Sequence, residues 1–196
     1  MSLSRAGVAL THKHVKGAPQ AGFVLRKFLH GFFGGVLVSE MNAFASHWAS
    51  HHVYPNAPWN SHVTVHHDSD HPDGAGVFVI PFRTYFAGWT QDTAVQGGLA
   101  LNSAWFCAFS LSGRGRRVPF HLFGMALGLV FHFFLTTWLH FAHHQGSVKG
   151  IAGLSALSEH HELHHRRMGE GNYSLGFLPP VFDWAFGCLR WTVGSP

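Results

Sequence analysis

Charged side chains are scarce in this chain. Lys and Arg number 13 and Asp and Glu nine of 196 residues, 11% in all, where a soluble globular domain carries about 25%. The net charge is +4, and the only tight basic group is Arg114, Arg116 and Arg117, set between two apolar segments. With no basic stripe interleaved with aromatics, nucleic acid is not an expected partner. Cysteine is nearly missing: Cys107 and Cys188 lie far apart and in no CxxC pair, which argues against a disulfide framework or a zinc–thiolate site. There is no GxGxxG and no P-loop, hence no flavin or nucleotide signature. The first residues lack the apolar core and small-residue cleavage site of a signal peptide.

Apolar runs and histidine fill the space. Hydrophobic residues make up 46% of the chain, and His occurs 19 times. Residues 1–20 are polar and read as a peripheral segment preceding a single membrane domain over 21–196. Phe28–Ser46 is long enough to span a bilayer, although it carries His30 and Glu40. Val77–Trp89 is apolar and aromatic but includes Arg83, as an interfacial segment would. Val95–Ser112 and Val118–Leu139 contain no Asp, Glu, Lys or Arg and read as spanning helices. Two crossings between 95 and 139 bring the chain back to the side it left. The histidines at 47–67 and at 140–165 therefore face one compartment.

Those histidines form four clusters: His47-Trp-Ala-Ser-His51-His52, His62-Val-Thr-Val-His66-His67, His140-Phe-Ala-His143-His144 and His160-His161-Glu-Leu-His164-His165. Together they hold 13 of the 19. On an α-helix, residues i and i+4 share a face, so His47 with His51, His62 with His66, His140 with His144 and His161 with His165 can each grip a metal, as can His161 with His164 at i+3. Neutral imidazole suits iron, zinc, copper and nickel alike. The number of rings exceeds what one zinc takes, about three or four, and fits two ions in adjoining sites. The paired Glu-x-x-His set of carboxylate-rich diiron bundles is missing, so a bridging ligand would be water or hydroxide. Asp68, Asp70, Asp73, Glu159 and Glu162 are close enough in sequence to orient ligands.

In their order, and with a helical hairpin between the second and third, the four clusters resemble the histidine boxes of the fatty acid hydroxylase / sterol desaturase superfamily. His47 with His51 or His52 matches the first box, His140 and His144 the third, and His161, His164 and His165 the fourth. The stretch from His164 through Asn172-Tyr173-Ser174 is similar to that family's HHxxxxxNYG, and Phe182-Asp183-Trp184-Ala-Phe186-Gly187-Cys-Leu-Arg190 to its WDRLFGTLR ending. The likeness covers residues 40–191. Two departures stand out: the second box reads HxxxHH, one residue longer than usual, and one apolar segment precedes the first box where the family commonly has two.

The resemblance implies an all-α integral-membrane helical bundle of about three spans, with a histidine-rich helical cap on one membrane face. It implies two Fe ions, a diiron centre with O2 as co-substrate, oxidising a lipid substrate such as an acyl chain, sterol or carotenoid, with electrons from a separate redox protein. The implied metal ligands are His47, His51 or His52, His62, His66, His67, His140, His144, His161, His164 and His165. The histidine boxes would face the cytoplasm. Charge opposes that orientation: Arg5, Lys13, Lys16, Arg26, Lys27 and the loop arginines fall on the other side, and the positive-inside rule puts them inside.

Competing readings remain. Histidines of a non-redox metal-binding or metal-transport membrane protein would line a path through the bilayer, yet the spans carry only His30, His121 and His132. These three read as packing residues, His71 as a solvated loop residue, and His143 and His160 as box members pointing away from their neighbours' face. Asn172 and Asp183 are open between bonding histidines and anchoring the backbone.

Overall fold

Glycine brings the two longest helices together. In the computed structural model, which describes residues 21–67, 80–112, 119–148, 150–167, 170–174 and 180–190, α1 spans Ala21–His52 and α4 spans Pro119–His144. A methyl group placed on Gly31 or Gly35 would fall 2.1 or 2.4 Å from the backbone oxygens of His121 or Met125. On Gly124 or Gly128 it would fall 2.2 or 2.1 Å from those of Phe28 or Phe32. Only hydrogen fits at these four positions. Both helices thus carry the Gly-xxx-Gly spacing that lets backbones approach closely in lipid. The paired residues rise together along both chains, so α1 and α4 are parallel.

α3 (Thr93–Leu111) runs antiparallel against another side of α1. Gly98 meets the Ala43 backbone, and Asn102 bonds both Ser39 and Asn42. Asp92 starts this helix by accepting the amides of Ala94 and Val95 through Oδ1, as an N-cap carboxylate does.

Bulk and polarity are distributed inside out. Phe33, Leu37, Leu127, Phe131 and Phe134 are exposed, whereas Ser39, Glu40, Asn42, Asn102, His132 and Thr136 are buried. Glu40 Oε2 lies 2.5 Å from His132 Nε2, so the charge that interrupts the first apolar run has a partner on α4. α1 and α4 are long and apolar enough to cross a membrane.

The parallel helices α1 and α4 end, and α3 begins, at one end of this layer. Short elements cover that end: a π-helix at His62–His67, α2 at Phe82–Trp89, α5 at Leu154–Arg166 and α6 at Val181–Ala185. There is no strand among the described residues. The polar segment 1–20, the arginine loop, and Asp68, Asp70, His71 and Asp73 lie outside them.

Candidate metal centre

Histidines from four elements converge beneath this cap in two groups. His47, His51, His62, His67 and His164 form one, His66, His140, His144 and His165 the other. Within each group one ring nitrogen per residue lies within 4.8 Å of all the rest, and every member is buried. His161 borders the second group, its Nε2 3.2 Å from that of His144 and 3.1 Å from that of His165. The groups are neighbours: the rings of His67 and His165 are 4.6 Å apart between centroids.

The doublets His66-His67 and His164-His165 each divide between the groups. Successive helical residues point about 100° apart. His66 therefore faces the second group and His67 the first, and His165 faces the second and His164 the first. Spacing alone pairs His62 with His66 and His161 with His164; the fold separates both pairs. His62 instead meets His67, Nε2 to Nε2 at 3.3 Å. The extra residue of HxxxHH is taken up by the π-helix, whose i→i+5 repeat aligns positions five apart. His51 joins the first group, while His52 is exposed and pairs with the Tyr173 hydroxyl at 2.7 Å.

The outer nitrogens define the tautomers. His47 Nδ1 lies 2.7 Å from the Tyr173 carbonyl and His164 Nδ1 2.9 Å from that of Gly171. A carbonyl only accepts, so both Nδ1 atoms carry the proton and donate it. His62 Nδ1 likewise donates to Asp92 Oδ2 at 2.9 Å. In the neutral rings every Nε2 is then a bare lone pair, yet His47 and His164 present theirs to one another at 3.0 Å. Two acceptors gain nothing from such a contact. A cation between them reverses its sign.

Burial keeps the His47 and His164 rings neutral. It pushes His164 down to about 3, and it holds His67, His161 and His165 far below the usual imidazole range, the neighbouring imidazoles adding to the effect. Protonation therefore does not relieve the crowding. An ion about 2.0–2.1 Å from each nitrogen would set adjacent nitrogens roughly 3.0–3.4 Å apart. Five Nε2 pairs within the groups are 3.0 to 3.3 Å apart. The residues present fit a pair of metal ions.

The groups differ in what backs them. Behind the first stand a carboxylate, Asp92, and two carbonyls. Behind the second stands Tyr85, whose hydroxyl is 2.5 Å from His140 Nδ1. Burial and the nearby Asp92 push the Tyr85 phenol well above its usual range, so it stays protonated.

The carbonyls of Gly171 and Tyr173 are held by the tail. Asp183 accepts the amides of Tyr173 and Ser174 at 2.6 and 2.8 Å. Asn172, left-handed at φ 63°, donates to the carbonyls of His160 and Arg190. Asn172 is thus a backbone anchor; Asp183 is that too, and also stands 3.3 Å from His160 Nε2. Glu162 pairs with Arg166 at the surface, away from the rings.

Reading by proximity in sequence missed Asp92 and Tyr85. Asp92 had one visible signal: it is the sole acidic residue between Asp73 and Glu159, directly before an apolar helix. Tyr85 had none.

No protein-family model matches the chain, and neither a curated protein nor a solved structure matches it.

Proposed function

We propose that the protein is a membrane-embedded diiron oxidoreductase that uses dioxygen to hydroxylate or desaturate a lipid. The observation carrying this reading is the pair His47 and His164. Their Nδ1 atoms are committed to carbonyls and their Nε2 lone pairs converge at 3.0 Å in a buried site, an arrangement that calls for a metal. Nine buried imidazoles without a carboxylate among them suit iron as well as zinc or copper. The box order chooses iron, through the family resemblance.

Two irons held there would supply dioxygen activation and oxidation of an unactivated C–H bond. In hydroxylation one oxygen atom enters the C–H bond. The other leaves as water with two electrons from a separate donor protein and two protons. The chain's own part is to bury the ligand rings, to turn them correctly through Asp92, Tyr85 and the carbonyls of Gly171 and Tyr173, and to keep water out. We place α1, α3 and α4 in the bilayer, where their exposed phenylalanines and leucines meet lipid, and the histidine end at the cytoplasmic face, near the reductants.

Metal analysis of detergent-purified protein, with a Mössbauer spectrum after growth on enriched iron, tests the proposal. Two irons per chain with a coupled diferric signal are expected. One zinc and no iron, persisting under iron supplementation, would overturn it and leave a non-redox metal protein.

A further inference from the structure

A cavity of about 440 Å³ lies beside the second histidine group, walled by Val65 and His66 of the π-helix and by Tyr85, Gly88 and Trp89 of α2. Among the described residues, His66 is the one grouped histidine on its wall. Tyr85 touches the same group from another direction, through His140, and the Trp89 ring lies 4.3 Å from that of His140. Among the described residues, the first group reaches the cavity through Asp92, which stands behind His62.

Gly88 is informative by contrast. The glycines of α1 and α4 are forced by backbone contact, whereas a methyl group on Gly88 would meet no atom within 4 Å. Packing does not demand a glycine inside α2, and a side chain at this position would stand at the cavity wall. The volume falls near the low end of small-molecule sites, about 300–1,000 Å³. A space of that size is large enough for a short segment of a chain molecule. Its exposed walls are mostly apolar, and the polar groups among them are the hydroxyls of Ser61, Thr84 and Tyr85, the Gln91 amide, the His66 imidazole and the Asp92 carboxylate.

We propose that this cavity takes the reacting segment of the substrate, an apolar stretch bearing at most one hydrogen-bonding group, and that the substrate meets the second histidine group rather than the first. Gly88 sets the width of the space. The inference rests on the reading of the two groups as an oxidising metal centre.

Photolabelling of the metal-loaded protein tests it, with 1-decanol carrying a diazirine at its terminal carbon as the probe. Label is expected on Val65, Ile80 or Trp89. Gly88→Phe and Thr84→Trp, which fill the space from the exposed side of α2, should each lower that labelling at least tenfold. Gly34→Phe, also with no atom within 4 Å but on α1, should leave it unchanged, and all three should keep their metal. Undiminished labelling in both filled variants, or label concentrated on Leu99 and Phe133 between the long helices, would overturn the proposal. Labelling that responds as expected on a protein holding zinc would sustain the site and sink the oxygenase reading. Two irons with unresponsive labelling would do the reverse.

Discussion

His62 and His67 stand five residues apart, and their Nε2 atoms lie 3.3 Å apart. An α-helix would bring His62 over His66; the π-helix brings it over His67 and releases His66 to the other group. Adjacent histidines then serve different sites. His67→Ala should empty the first site and His66→Ala the second, each variant retaining one of two metals. Metal content by mass spectrometry checks this; loss of the same metal signal from both variants would contradict the division.

The first box makes a similar distinction. His51 belongs to a group and His52 bonds the Tyr173 hydroxyl. His52→Ala should keep its full metal complement, and His51→Ala should lose metal from the first site. Equal losses from the two would show that His52 supports the centre through Tyr173.

Asp92 has two duties on two oxygens: Oδ1 caps α3 and Oδ2 holds His62. Asparagine caps a helix about as well as aspartate but presents no carboxylate to the imidazole. Asp92→Asn should therefore keep the thermal stability of the metal-free protein while weakening metal binding about 10–100-fold, the usual effect of losing such a partner. Chelator competition gives the affinity and a melting curve the stability.

Glu40 and His132 form a pair buried between α1 and α4. Removing one partner leaves the other without compensation, a cost of about 3–5 kcal/mol. Glu40→Met or His132→Leu alone should be strongly destabilising, and the double variant much less so. Unfolding in detergent should show this non-additivity; additive losses would mean that the pair does not interact.

Acid should release the fold as well as the metal. His164 is pushed down to about 3 by burial, while an unfolded chain protonates histidine near 6.5. Above pH 6.5 both states are neutral and stability is independent of this group. Below it the unfolded chain takes up the proton first, so stability falls at about 1.4 kcal/mol per pH unit per histidine, down to about pH 3 for His164. His67, His161 and His165, also held low, steepen the slope. Denaturation of the metal-free protein between pH 8 and pH 5 measures it; a flat profile would mean that the rings are not buried neutral.

Several elements were legible in advance. Phe28–Ser46, Val95–Ser112 and Val118–Leu139 fall within or nearly within α1, α3 and α4, because apolar runs of this length, with Glu40 their one charge, are too long for strands. The i, i+4 pairs His140 with His144 and His161 with His165 meet, Nε2 to Nε2, at 3.1 Å each. The pairs His62 with His66 and His161 with His164 do not, since one sits on a π-helix and the other is divided between two groups. Glu40 spoke against a span only because its partner lies 92 positions away.

Sequence by itself brought the four histidine clusters to one end of the apolar helices and left the choice between His51 and His52 open. Hydropathy counts the apolar helices, and box spacing turns the imidazoles of each segment toward one side. It did not determine which imidazole joins which group, nor that Asp92 and Tyr85 stand behind them. Periodicity sets a side chain's direction relative to its own helix axis, whereas grouping depends on the rotation and offset of one helix against another. Those are set by the glycine contacts of α1 with α4 and by the π-turn at His62–His67, and both exist only once the chain has packed.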